Sequence, residues 1–267
     1  MRIVKHYEWG EFLDYVDWQG DEDGRASQTK GDAEWYGTPD FKSAMELARF
    51  GWADKIGELK EWEMKEAPPL LPAYRAETRY DIAGGQAHIG RFLGNQPDCM
   101  MRRVIENGFN IPALFVNVVI LSSASSFVGA GEIMKYGVGI AGIVKSLELR
   151  NVRTRIDILE HVIGSNDHGS TYQVTIRIKD FTDFLYLEKL MFPIAHPSFN
   201  RRLMFSEQER NGAEVREAFG FYERQGYGKP LDQFDDDENT LYFNGVQFDR
   251  EKINQKIANI LRQRESK

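Results

Sequence analysis

The side chains with the strongest claim on chemistry are arginines set beside aromatics. The stretch His196-Pro197-Ser198-Phe199-Asn200-Arg201-Arg202 runs on to Phe205, Arg102 and Arg103 are adjacent, and Lys256, Arg262 and Arg264 lie near the end of the chain. Guanidinium groups bind phosphate oxygens while rings stack on bases, a combination suited to single-stranded nucleic acid. Arg102, Arg103, His196, Phe199, Arg201, Arg202, Lys256, Arg262 and Arg264 therefore form a candidate nucleic-acid-binding set. The same arginines could instead be spent on ion pairs within the fold.

Other chemistries find fewer of the residues they need. A small-residue loop, Ser122-Ser123-Ala124-Ser125-Ser126, leads through Gly129-Ala130-Gly131 into Glu132. A phosphate loop ends in Gly-Lys-Ser/Thr, and Glu132 stands where the lysine side would need a cation. A hard-cation site on this loop needs an aspartate that neither register of the serines supplies. Asp157, Glu160 and Lys179 would suit metal-assisted phosphodiester cleavage only if two neighbouring strands brought them together. His6, His88, His161, His168 and His196 include no pair at the helical zinc spacing, and Cys99 is the single cysteine. The expectation is a protein without catalytic residues, metal or cofactor.

These residues must be carried by a packed fold. The chain has 267 residues with 42% hydrophobic and 28% charged side chains, enough for one large domain. Its net charge of -7, from 34 Lys+Arg and 41 Asp+Glu, is opposite in sign to that of a protein that coats duplex DNA by bulk charge. Any nucleic-acid contact must come from a local patch, such as the 249–267 tail, where basic residues outnumber acids. The longest apolar run, Ile111 to Leu121, is interrupted by Pro112 and Asn117 and falls short of the ~20 residues that a membrane helix needs. No apolar signal core follows Met1. The expected location is the cytoplasm, with no membrane partner.

Periodicity then places the elements. Thr38-Pro39 opens a helix whose Phe41, Ala44, Met45 and Ala48 share a face and which Gly51 ends. Ala67-Pro68-Pro69-Leu70-Leu71-Pro72 is an extended join, dividing an N-terminal helical segment (1–72) from an α/β core (73–267). Arg75 to His88 is expected to form an edge strand or hairpin around Gly84-Gly85. Ala113 to Leu121 is a buried strand, followed by a helix with Met134, Val138, Ala141, Val144 and Leu147 inward and a parallel strand at Thr154 to Leu159. Tyr172, Val174, Ile176 and Ile178 alternate with Gln173, Thr175, Arg177 and Lys179, the pattern of a half-exposed edge strand. Phe184 to Phe192 reads as a helix ending before Pro193, and Asp249 to about Arg264 as a basic final helix with Ile253, Ile257, Ile260 and Leu261 inward. The fold class is α/β, with a Rossmann-like mixed sheet.

The order from Ile111 to Asp180 (strand, serine loop, helix, parallel strand, antiparallel strand) resembles the opening of the von Willebrand factor A-type fold. That resemblance implies a degenerate domain of this type without its metal, acting as a protein–protein interaction module through the Ser122 to Gly131 loop. Three phrases resemble a family of uncharacterised bacteriophage proteins. They are Tyr36-Gly37-Thr38-Pro39-Asp40-Phe41 with Ala48-Arg49-Phe50-Gly51-Trp52, Phe92-Leu93-Gly94-Asn95-Gln96-Pro97-Asp98-Cys99-Met100, and Ala195-His196-Pro197-Ser198-Phe199-Asn200-Arg201-Arg202-Leu203-Met204-Phe205. Podoviruses that encode their own RNA polymerases use an early protein that binds single-stranded DNA and brings a polymerase to its promoters. The resemblance implies that role: a non-enzymatic accessory protein with single-stranded DNA and a phage RNA polymerase as partners, in the cytoplasm of the infected bacterium.

Overall fold

The computed structural model describes residues 1–18, 26–29, 31–62, 76–105, 114–123, 128–165, 169–221, 226–231, 237, 239–244 and 249–265. The proline-rich join at 67–72, the acidic loop at 20–24 and the serines at 125–126 lie outside them.

The chain begins with strand β1 (Arg2–Glu8) and helix α1 (Trp9–Val16), joined by a reciprocal capping box between Glu8 and Glu11. Two short turns of helix follow, α2 (Ala26–Thr29) and α3 (Ala33–Tyr36), then α4 (Phe41–Phe50). The N-cap of α4 is Asp40, whose carboxylate accepts from the Ser43 N–H at 2.7 Å, rather than Thr38. Ala44, Met45 and Ala48 are buried on one side of α4, as their spacing requires. Gly51 closes it at φ +97°, a conformation that favours glycine.

A separate three-stranded sheet is built from β2 (Ala76–Asp81), β3 (Gln86–Ala87) and β4 (Met100–Ile105), with the short helix α5 (Ile89–Leu93) between the last two strands. All its pairings are antiparallel, with β4 in the middle.

The main sheet follows. Strand β5 (Leu114–Leu121), helix α6 (Ala130–Leu149) and strand β6 (Val152–Ile163) form a parallel crossover unit, and β7 (Thr171–Lys179) returns antiparallel to β6. Helices α7 (Leu187–Ala195), α8 (Phe205–Glu209) and α9 (Ala213–Phe219) come next, with a π-helical turn at Phe199–Met204 leading into α8. Strands β8 (Lys229–Pro230) and β9 (Thr240–Asn244) and helix α10 (Arg250–Glu265) complete the chain. The sheet order is β1-β7-β6-β5-β9, with β8 added at the end of β6. This is a Rossmann-like mixed α/β fold, as the periodicity predicted.

One face of the sheet is the core. Tyr172, Val174, Ile176, Ile156, Ile158, Val116, Val118, Ile120, Leu241 and Phe243 all point into it and are buried. The core continues through α1, α4, α6 and α7, and Ile253, Ile257, Ile260 and Leu261 join it from α10. Helices α6 and α7 cross at Gly137, where an added Cβ would lie 2.2 Å from the Ile194 carbonyl oxygen.

Three expectations change. Residues 1–72 are not a helical segment apart from the α/β core, because β1 is a strand of the main sheet, parallel to β7 from Arg2↔Thr171 to Glu8↔Arg177. Strand β7 is therefore interior. Its polar side chains are committed, Arg177 to Asp157 at 3.2 Å and buried Lys179 to Glu148 at 3.0 Å, instead of guarding an edge. Helix α7 runs through Pro193, which lies buried between Phe192 and Ile194.

Candidate functional site

The segment from Leu190 to Glu209 is buried at every position. Buried polar atoms need partners, and here backbone carbonyls meet the arginines while side-chain donors meet the carboxylates. Arg202, with no exposed surface, donates to Thr38 Oγ1 at 2.9 Å, the Thr38 carbonyl at 2.9 Å and the Ser27 carbonyl at 2.8 Å, and it stacks 4.2 Å over the Tyr36 ring. Arg201 donates to the carbonyls of Trp35 and Val128 and stacks 4.4 Å over the Trp35 ring. Glu209 accepts from Ser27 Oγ at 2.6 Å and Tyr227 Oη at 2.6 Å. Glu207 accepts from Lys5 Nζ at 2.8 Å, Tyr172 Oη at 2.8 Å and Tyr7 Oη at 3.2 Å.

This corrects the largest group of sequence candidates. Arg201 and Arg202 are consumed inside the fold and present no guanidinium for phosphate. Phe199 is packed against Phe12, Trp9 and Phe192. His196 stacks on Phe192 and meets Trp52 edge-on at 4.8 Å. Burial lowers its pKa to about 4, so it is a neutral ring in the core near neutral pH. Guanidinium on an aromatic face is as good a core contact as a nucleic-acid contact, so residue type alone could not separate the two.

A second polar cluster sits at the C-terminal end of β5. Strands β6 and β9 lie on opposite sides of β5 and both run parallel to it. That makes this end the topological switch point at which open α/β sheets hold ligands. Ser122 Oγ donates to Glu160 Oε2 at 2.6 Å, and Asn200 Nδ2 donates to the Ser122 carbonyl at 3.1 Å and to Glu160 Oε2 at 3.3 Å. Burial pushes the Glu160 carboxyl up to about 7, against the pull of the Ser122 hydrogen bond. Gln208 approaches the carboxyl closely enough to lower its pKa, yet both its amide oxygen and nitrogen are buried without a well-formed hydrogen bond. A carboxyl titrating near neutrality beside a serine hydroxyl can exchange a proton, but here it is enclosed. Sequence reasoning missed Glu160 in this setting because its partners Asn200 and Gln208 are far along the chain.

The carboxylate–lysine convergence expected for a nuclease does not form. Asp157 and Glu160 emerge on opposite faces of β6, and Lys179 is tied to Glu148 and to the Thr154 carbonyl. Asp157 is matched by Arg155 and Arg177. Ser122 and Ser123, at the start of the serine loop, are turned onto β6 through Glu160 and the His161 carbonyl.

The three-stranded sheet holds what remains exposed. Arg102 lies on β4 directly opposite Arg79 on β2 and pairs with Asp81 at 3.5 Å. Arg103 is the next residue of β4, opposite Thr78. Arg91 stacks 4.3 Å over the Tyr80 ring, which His88 meets edge-on at 5.3 Å. Around them Ile82, Ile89, Phe92 and Leu93 are 76%, 72%, 63% and 77% exposed. These four were not among the sequence candidates. Their only signal is that they flank Gly84-Gly85 and Gly94 without a helical or strand period. On α10, Lys256 lies 5.7 Å over the Tyr242 ring and Arg262 is exposed, donating to Asn259 Oδ1 at 3.4 Å; Arg264 occupies the last turn. The candidates thus divide into a buried group on 196–202 and two separate groups, on β4 and α10, in which Arg102 and Arg262 are exposed.

A family model described as a domain of unknown function, DUF7192, matches residues 2–266. The chain belongs to the DUF7192 family. No curated protein and no solved structure matches it. Among the described residues, the DUF7192 chain has no helix long and apolar enough to cross a membrane and no group of three or more side chains placed to hold a metal ion.

Proposed function

We propose that the protein is a non-enzymatic accessory protein that works by holding a protein partner on its three-stranded sheet. The observation that carries this reading is the exposure of Ile82, Ile89, Phe92 and Leu93 within one small unit, beside Tyr80. Large apolar side chains gathered on a surface mark interaction sites, whereas scattered ones do not. Arginines and aromatics at the rim match the composition of contact surfaces. The test is affinity capture from the source cell with the wild type and with an Ile82→Ser/Phe92→Ser/Leu93→Ser variant. The expected result is a protein retained by the wild type and lost by a variant of unchanged melting temperature. Equal capture by both would remove the sheet from the reading.

A second reading is favoured by the Arg91–Tyr80 stack and by Arg102 on the same unit. In it the partner is single-stranded DNA, with a phage RNA polymerase recruited alongside in the cytoplasm of an infected bacterium, and Arg102, Arg103, Lys256, Arg262 and Arg264 supply the phosphate contacts. Fluorescence anisotropy with labelled single- and double-stranded oligonucleotides across a salt series tests it. Single-strand preference is expected, with the log–log salt slope reduced by roughly one in Arg102→Ala. No binding at low salt would end this reading.

A further inference from the structure

The seam between the three-stranded sheet and the body encloses a cavity of about 400 Å³, bounded by Gly85 and Gln86 on one side and by the end of β7, the 182–186 loop and the start of α7 on the other. Small-molecule sites fall in this size range and favour junctions between separately built units. Its walls divide by chemistry. Phe184, Leu185 and the Tyr186 ring form an apolar side. Thr182 and Lys189 form a polar rim, and both are exposed.

The charges at this rim differ in how far they are committed. Lys179 is buried and engaged by Glu148, the Thr154 carbonyl and the Asp180 carbonyl. The Asp183 carboxylate accepts from the Asp180 N–H at 2.8 Å, closing its own loop. Among the described residues the Lys189 ammonium has only a cation–π contact, 5.7 Å from the Tyr186 ring centre. We propose that this cavity is a binding site for a small amphipathic acid, with an aromatic or aliphatic body against Phe184 and Leu185 and a carboxylate head on Lys189, assisted by the Thr182 hydroxyl. An ammonium is a point charge that suits a single carboxylate, and walls shared between apolar and polar groups suit a ligand with one end of each kind. The site is independent of the docking surface, which lies on exposed side chains outside the seam.

Gly85 provides a steric control. Its φ is not in the left-handed region, and an added Cβ would meet Phe184 Cε2 at an ordinary 3.5 Å, so a larger side chain can enter the cavity without a backbone clash. The experiment is a protein-observed NMR titration of the full chain with indole-3-acetate, the neutral indole-3-acetamide and the cationic tryptamine. For ligands of this size, a dissociation constant on the order of 0.1–1 mM is expected for the acid. Shifts should centre on Gly85 and residues 182–189, and the acid should bind roughly tenfold more tightly than the amide. Lys189→Met should erase that preference while leaving the amide's affinity in place, and Gly85→Leu should remove binding of the acid at an unchanged melting temperature. Equal affinity for acid and amide, tighter binding of tryptamine, shifts centred elsewhere, or no saturable binding by any of the three would overturn the proposal.

Discussion

Glu160 and His196 are both buried and both held away from their charged forms, with opposite effects on how stability follows pH. The Glu160 pKa rises from 4.5 to about 7, so between those values the folded state holds a proton that the unfolded chain has released, and stability falls as pH rises. The His196 pKa drops from 6.5 to about 4, so across that range the unfolded chain holds the extra proton and stability rises with pH. Over the shared window, pH 4.5 to 6.5, the two slopes of about 1.4 kcal/mol per pH unit oppose each other. Subtracting the wild-type urea-unfolding curve from that of Glu160→Gln should therefore leave a difference that climbs by about 3 kcal/mol across the Glu160 range. His196→Gln should leave a difference of the opposite sign. Parallel curves for wild type and Glu160→Gln would show that the carboxyl is not protonated in the folded state.

Arg202 makes the strongest prediction about the nucleic-acid candidates. With three charge-assisted hydrogen bonds and a ring contact, all inside the fold, its loss orphans the Thr38 and Ser27 carbonyls. Arg202→Met should cost about 3–5 kcal/mol in chemical denaturation. Arg202→Lys should also be costly, because an ammonium cannot reproduce the planar fork. Full stability in either variant would contradict this placement.

At the α6–α7 crossing, Gly137→Ala places a methyl where the Ile194 carbonyl and Ala195 already sit. Because two backbones meet there, relief requires the helices to separate. A loss of about 2–4 kcal/mol is expected. Gly131→Ala, inside the first turn of α6 with open space around its Cβ, is the control and should not destabilise the protein. A neutral Gly137→Ala would mean the helices are further apart.

Much of the fold was legible because it is written in local periods. The run at 114–121, the alternation at 172–177 and the inward isoleucines of α10 all fall where their spacing puts them, while at the end of β7 Lys179 turns inward against the pattern. What sequence could not show was the fate of features with two solutions of equal local quality. An alternating strand can be edge or interior, and β7 became interior only because β1, distant in sequence, pairs with it. Arg201 and Arg202 beside Trp35 and Tyr36 satisfy the same contacts that a base and a phosphate would satisfy. Proline at 193 reads as a terminator, yet it lies within α7 and packs in the core. The candidate site lost Arg201 and Arg202 for this reason, and the exposed apolar residues around Gly84-Gly85 had no period to announce them.

The pairing of β1 with β7 also orders events during synthesis. Arg2 leaves the ribosome well before its register partner, Thr171. At ordinary translation rates that partner follows on the order of ten seconds or more later. Until then the β1 edge lacks its β7 partner, and Lys5 must wait longer still for Glu207. The nascent chain therefore carries an unmatched strand for as long as the residues between β1 and β7 are being made.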